Sequence, residues 1–313
     1  MNHVSTIFLK NRYAIFYIIV LILYACEVPE KWPCNFWPYI TYTKFNFFIL
    51  KKNKKYNFYL LTFKISYNNG IVTNKKGEKK MALLNYYSQT KMAKGEAFGY
   101  KTAIMHFAPY NMSGKNVCPK ATAGPGGCVA PCLNTSGRGQ MGSVQRARIN
   151  KTNYFWTNKN GFLFELSKEI DLLKKRAARA GFKFAVRLNG TSDLPWFKYK
   201  VDGGGSLMDL HPDVQFYDYT KVLNYLDHGK KNYHVTFSDS GTNDRDQLEA
   251  IKKGSNVAVV FKDQLPKTWM SRKVIDGDKH DLRFKDPAGV IVGLVAKGLG
   301  KKVEVNSFIK IAP

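Results

Sequence analysis

From Met81 onward the chain alternates short apolar runs, rich in Val, Phe, Ile and Tyr, with longer stretches of helical periodicity. The runs Ala103 to Phe107, Phe182 to Leu188, Val214 to Tyr217, Tyr233 to Phe237, Val257 to Phe261, Lys273 to Ile275 and Val290 to Val295 read as strands. Between them, Gly161 to Ala180 sets Phe162, Leu166, Ile170 and Leu173 at helical spacing. Thr220 to Asp227 and Arg245 to Lys253 read as shorter helices, the second closed by Gly254 as its C-cap. Strands that alternate with helices form mostly parallel sheets. The pattern therefore predicts an α/β fold, either a partial (β/α) barrel or an open parallel sheet of about six to seven strands.

Residues 1–80 break this pattern. Phe, Tyr, Met, Ile, Asn and Lys make up 47 of them, Asp is absent, and no sustained helical or strand alternation runs through them. These are the residues of AT-rich codons. Gly77-Glu78-Lys79-Lys80 can be encoded with GGAG a few bases ahead of the Met81 codon, as a bacterial ribosome-binding site would stand. The expectation is that the first eighty residues are an extension ahead of a start at Met81 and that residues 81–313 form the α/β domain. The competing reading is a signal or anchor: Lys10 and Arg12 precede the apolar stretch Tyr13 to Ala25, and Leu23-Tyr24-Ala25-Cys26 loosely resembles a lipoprotein cleavage box. The stretch is short for a membrane span, which needs about 20 apolar residues. No membrane is expected for the 81–313 domain, which is expected to be cytoplasmic. Translation of residues 1–26 as a signal would make the product anchored or exported.

Parallel strands present their carboxyl ends on one edge, where following loops converge. The segments there are polar: Arg187 to Asp193, Tyr217 to Tyr219, Ser238 to Asp244, Lys262 with Asp263, and Asp276 to Asp281. Arg187, Asp218, Lys262 and Asp276 are the candidate catalytic residues. Asp, Ser and Gly also build loops and cap helices, which accounts for a share of this polarity without any chemistry.

The densest chemical signal is a cysteine loop. Cys118, Cys128 and Cys132 fall in CPKATAGPGGCVAPC, and no other cysteine follows Met81. Three thiols in one Gly/Pro-rich loop suit a shared soft metal better than a disulfide framework, and they suit a reducing compartment. Strand, cysteine loop and helix in that order, opening a series of strand–helix units, resemble the radical S-adenosylmethionine superfamily. The resemblance implies an iron–sulfur cluster on Cys118, Cys128 and Cys132, with S-adenosylmethionine beside it. It implies further that Asn189, Gly190 and Ser192 contact the amino end of that cofactor and that Gly293 lies near adenine. The spacing departs from that family: nine and then three residues separate the cysteines, where three and then two are usual, and no aromatic precedes the last one. Cys118-Pro-Lys-Ala121 with Cys128-Val-Ala-Pro-Cys132 is closer to a group of phage proteins carrying a Cys-Pro-Gly-Ala…Cys…Cys segment. That motif defines no reaction. The alternative ligand is zinc, held by the thiols with His106, His211 or His234.

Charge widens the choice. The formal net charge is +26, and from Met81 on 36 basic residues stand against 20 acidic ones, favouring nucleic acid or another polyanion as partner. Arg138, Arg146 and Arg148 lead into Tyr154, Phe155 and Trp156, a pattern that can track phosphates and stack bases. It also suits a solvated helix face with its core anchor. The alternative to a radical-type enzyme is thus a nucleic-acid-binding accessory protein with a zinc or metal-free loop. Gly137-Arg138-Gly139 is no Walker loop, Asp202-Gly203-Gly204-Gly205 is no dinucleotide fingerprint, and serine-hydrolase, zinc-protease and kinase signatures are absent.

Overall fold

The structure is a computed structural model that describes residues 4–9, 48–50, 59–64, 71–73, 79–86, 90–124, 126–302 and 307–313. It divides into two compact units, Met1–Lys80 and Met81–Pro313. In the first, strands β1 (Val4–Leu9), β2 (Phe48–Leu50) and β3 (Tyr59–Lys64) form an antiparallel sheet in the order β1-β3-β2, with Val4 opposite Lys64 and Phe48 opposite Thr62. Strand β4 (Ile71–Thr73) pairs with β5 (Lys79–Met81). These short strands form without sustained alternation in the sequence: β-branched and aromatic residues suffice for them, because cross-strand pairing supplies the order. The Tyr13 to Ala25 stretch and the Leu23 to Cys26 box lie outside the described residues. Among the described residues no helix is long and apolar enough to cross a membrane.

The second unit is built on a nine-stranded, mostly parallel sheet. Helix α1 (Thr90–Glu96) leads into β6 (Tyr100–Ile104), and α2 (Tyr110–Ser113) follows in the long loop after it. Helices α3 (Gly142–Thr157) and α4 (Lys159–Arg179) then return the chain to β7 (Lys183–Arg187). After α5 (Leu207–Leu210) come β8 (Gln215–Thr220), β9 (Tyr233–Ser238), α6 (Asp244–Lys252) and β10 (Val257–Phe261). The chain ends through β11 (Thr268–Trp269), β12 (Arg272–Asp276), β13 (Ile291–Val295) and β14 (Ile309–Lys310). From β6 to β10 each strand lies parallel beside its predecessor; β13 then joins β10, β12 lies outside β13, and β11 closes the edge antiparallel to β12.

The barrel alternative is corrected: the sheet is open, with β6 at one end and β11 at the other. Closure needs a tilt and register that bring the end strands together. Here β13 inserts between β10 and β12, so the sequential order is lost before the sheet can curl round. The exposed edge of β6 is met instead by residues 83–86, where Asn85 and Ile104 exchange backbone hydrogen bonds of 2.8 and 3.0 Å.

The apolar stripe of α4 explains the packing of the helical layer. Phe162, Leu166, Ile170, Leu173 and Ala177 are buried against Phe184, Val186 and Phe216, the residues of β7 and β8 that point to that side. Phe107, Phe155, Phe162 and Trp196 add an aromatic cluster with ring centroids 5.3 to 6.0 Å apart. A smaller core joins Ala250 of α6 to Phe237, Val257, Val259, Phe261 and Ile291.

Two predicted elements change. The first strand starts three residues earlier and stops at Ile104, so Met105 to Phe107 lie at the start of the loop. The helix over Thr220 to Asp227 is not formed: Thr220 is the last residue of β8, paired with Phe237, and Leu223–Asp227 is a 3-10 turn. Thr220 Oγ1 donates to Asp193 Oδ1 at 2.8 Å and accepts from the Val222 N–H at 3.0 Å, which holds the chain extended where helix spacing suggested a turn.

Candidate functional site

The cysteine loop lies across the carboxyl ends of the parallel strands and is tied to them at several points. The Asp193 N–H, in the loop after β7, donates to Val117 O at 2.8 Å. Thr122 and Thr242, the latter after β9, share a hydroxyl hydrogen bond of 2.9 Å. A Cβ on Gly241, at φ +85°, would lie 2.2 Å from Gly126 O, so only glycine allows that approach. Within the loop the Val129 N–H donates to Thr122 O at 3.2 Å, folding the segment with Cys128 back on the one that follows Cys118.

Lys221, the residue directly after β8, ties the thiols together. Burial works to lower its pKa, but Cys118, Cys128, Asp193 and Cys132 together hold it above the ordinary lysine value. The carboxylate of Asp193 is fixed by Thr220 Oγ1 and by the Lys221 N–H, both at 2.8 Å. A second cation stands near Cys132. Arg148, on α3, is buried and donates to Asn134 Oδ1; burial lowers its pKa and Cys132 opposes that shift. Burial pushes the Cys118 thiol up to about 12, with Asp193, Cys128 and Cys132 adding to the shift and Lys221 opposing it. A metal-free Cys118 is therefore a thiol at neutral pH and no ready nucleophile.

Two cations beside three thiols, with an acid that orients one of them, make a site suited to a soft ligand of net negative charge. Among the described residues no three His, Cys, Asp or Glu side chains are gathered as the ligands of one metal ion would be. A single zinc pulls every ligand to within about 2.3 Å of one point. His211 stands elsewhere, bonded to Ser167 of α4 at 2.9 Å, and His234 lies within β9.

The remaining strand-end candidates fall into other environments. Arg187 is buried in an ion pair with Asp281, its Nη1 2.9 Å from Oδ2, and its guanidinium lies 4.6 Å from the Tyr219 ring centroid. Asp218 faces the helical side, accepting from the Asn189 N–H at 2.7 Å and the Tyr233 hydroxyl at 3.0 Å; burial raises its pKa to about 7 against those hydrogen bonds and the Arg187 charge. The Asn189 side chain is engaged within its own loop, Oδ1 accepting from Ser192 Oγ, the Leu194 N–H and Trp196 Nε1, and Nδ2 donating to Leu194 O. Gly190 passes so close to β6 that a Cβ would lie 2.4 Å from Met105 O. Gly293 is packed within the sheet, where a Cβ would meet Val274 Cγ1 at 2.8 Å. Lys262 Nζ donates to Lys301 O at 2.9 Å, and Asp276 Oδ1 accepts from the Asp278 N–H at 2.8 Å. Arg138 and Arg146 are exposed, whereas Arg148 is withdrawn into the thiol site and is corrected as a nucleic-acid contact.

Sequence reasoning passed over Lys221. Ending the third strand at Tyr217 placed this lysine inside a helix; the full run Gln215–Thr220 puts it at a carboxyl end.

The gene product 88 family model matches residues 73–309, a span that holds the whole parallel sheet except the last residue of β14, together with the cysteine loop. The chain belongs to the gene product 88 family. The match identifies a phage-type protein. No curated protein and no solved structure matches the chain. The likeness to the radical S-adenosylmethionine superfamily therefore stands on chain order alone.

Proposed function

We propose that this phage-type chain is an iron–sulfur enzyme of the radical S-adenosylmethionine-like kind, with its cluster on Cys118, Cys128 and Cys132. The supporting observation is the placement of the three-cysteine loop at the carboxyl edge of the parallel sheet, where Val117 O accepts from the Asp193 N–H at 2.8 Å and Thr122 bonds Thr242 at 2.9 Å. Half-buried Lys221 and buried Arg148 supply positive charge on the protein side, which favours an anionic thiolate site and opposes its protonation. Three cysteine ligands leave one iron free, and a cluster so bound supplies one-electron reduction of the S-adenosylmethionine sulfonium. The Asn189 side chain is spent on its own loop, so contact with the cofactor's amino end falls to backbone groups there.

Anaerobic purification followed by iron, sulfide and zinc analysis tests this. Iron and sulfide in near-equal amounts, lost in Cys132→Ala while the far-ultraviolet circular dichroism is kept, would support the cluster. Reductive cleavage of S-adenosylmethionine by the brown protein would support the radical assignment. Stoichiometric zinc without iron would end both and leave the nucleic-acid-binding reading.

A further inference from the structure

We infer that the cavity between the cysteine loop and the start of α6 binds a small phosphate-bearing ligand. The cavity has a volume of about 480 Å³ and is lined by residues 119–123 of the loop, by Lys221, and by Ser240, Thr242, Asn243, Arg245 and Asp246. That volume suits a small molecule, for which pockets run from about 300 to 1,000 Å³.

The lining decides the chemistry. Three of its side chains are cationic, Lys120, Lys221 and Arg245, against one acid, Asp246. Thr122, Ser240 and Thr242 add hydroxyl groups, and the apolar contribution is limited to Pro119, Ala121 and Ala123. With no aromatic ring to stack on, the site has little to offer a large hydrophobic body. A tetrahedral oxyanion uses what is present: guanidinium and ammonium donors, and hydroxyls that donate or accept as required. Among the described residues neither the Lys120 ammonium nor the Arg245 guanidinium lies within ion-pair distance of a carboxylate, although Glu249, one turn along α6, feels the Arg245 charge.

The start of α6 adds to this. No side chain caps the helix, because the Asn243 side chain is turned away, accepting from the Ser240 N–H at 2.8 Å and donating to Ser238 O at 3.0 Å. The first N–H groups of this nine-residue helix, at Asp244, Arg245 and Asp246, thus begin beside the cavity with no side-chain acceptor at the cap. Lys221 joins the cavity to the thiols, so a phosphate held there sits next to the cysteine loop. The inference does not depend on the cluster reading, since Lys120, Arg245 and the hydroxyls define the site without it.

Calorimetric titration of the full chain with pyrophosphate, with inorganic phosphate and with citrate in parallel, tests the assignment; iron content is measured on the same samples. The expected result is one saturable pyrophosphate site, with Arg245→Gln and Lys120→Gln each weakening it about tenfold, as loss of one charge-assisted hydrogen bond does. Arg179→Gln, at the far end of α4 and so at the opposite edge of the sheet, should leave it unchanged. Inorganic phosphate binding alone would support the site as a free-phosphate site. Absence of saturable binding would overturn the inference, as would equal or tighter binding of citrate or equal weakening by Arg179→Gln. Pyrophosphate binding to iron-free protein would support this site whatever the outcome for the cluster.

Discussion

At the residue scale, buried charge dominates the polar face of the sheet. Arg187 and Asp281 are both shielded from water; burial works to lower the guanidinium, and Asp281, Tyr219, Tyr217 and Asp218 together hold it above its ordinary value. Arg187→Ala would leave the Asp281 carboxylate unpaired and should destabilise the fold by about 3 to 5 kcal/mol, read from urea denaturation. Asp218 makes the complementary case. Burial raises its pKa to about 7, so between the ordinary carboxylate value near 4 and that pH the folded chain keeps a proton that the unfolded chain has released. Stability must then fall as pH rises through this window and level off above it, by an amount on the order of 1 to 4 kcal/mol. Asp218→Asn should flatten that slope in urea titrations at stepped pH, and an unchanged slope would place the proton elsewhere. The pairing was not legible in the sequence: Arg187 and Asp281 are 94 residues apart, and only packing makes them neighbours.

At the element scale, the hydrophobic pattern located the strands and the long helix because each has one face to bury. Val257–Phe261 is found where its apolar run predicts it, and α4 differs from the expected helix by one or two residues at each end. Leu166→Ala, in the centre of the α4 stripe and fully buried, should cost about 2 to 5 kcal/mol, measured as a lower urea midpoint with an unchanged slope. Gly293→Val tests the sheet in the opposite sense. Even a Cβ there would approach Val274 Cγ1 at 2.8 Å and Leu265 Cδ2 at 2.9 Å, so overpacking should destabilise by about 1 to 3 kcal/mol or more. Thr220 to Asp227 was misread because helical spacing over eight residues cannot reveal the hydrogen bond from Thr220 to Asp193, which decides for the strand.

At the scale of the whole molecule, the chain divides into two compact units between Lys80 and Met81, and among the residues whose burial is described both hydrophobic cores belong to the second unit. A chain of residues 81–313 should therefore unfold in one transition at the same urea midpoint as the second unit does in the full chain, followed by tryptophan fluorescence. A lower midpoint would show that residues 1–80 contribute to its stability. The surplus of basic residues adds a long-range field, and Arg138 and Arg146 are exposed while Arg148 is buried. If the nucleic-acid-binding reading holds, Arg146→Ala should weaken binding in a gel-shift assay, whereas Arg148→Ala should act through its contact with Asn134.

The alternation of apolar runs with helical periodicity determined the α/β class, the strand positions and the composition break before Met81, since these depend on residues close in the chain. The clustering of Cys118, Cys128 and Cys132 in one loop was equally a property of sequence. Whether the sheet closes was not, because closure depends on tilt, register and the insertion of β13 beside β10. Nor was the setting of the thiols: Lys221 and Asp193 reach the cysteine loop from two other strand ends, and Arg148 from a helix. Parallel pairing delivers those ends to one edge, so the site exists only once the sheet has formed.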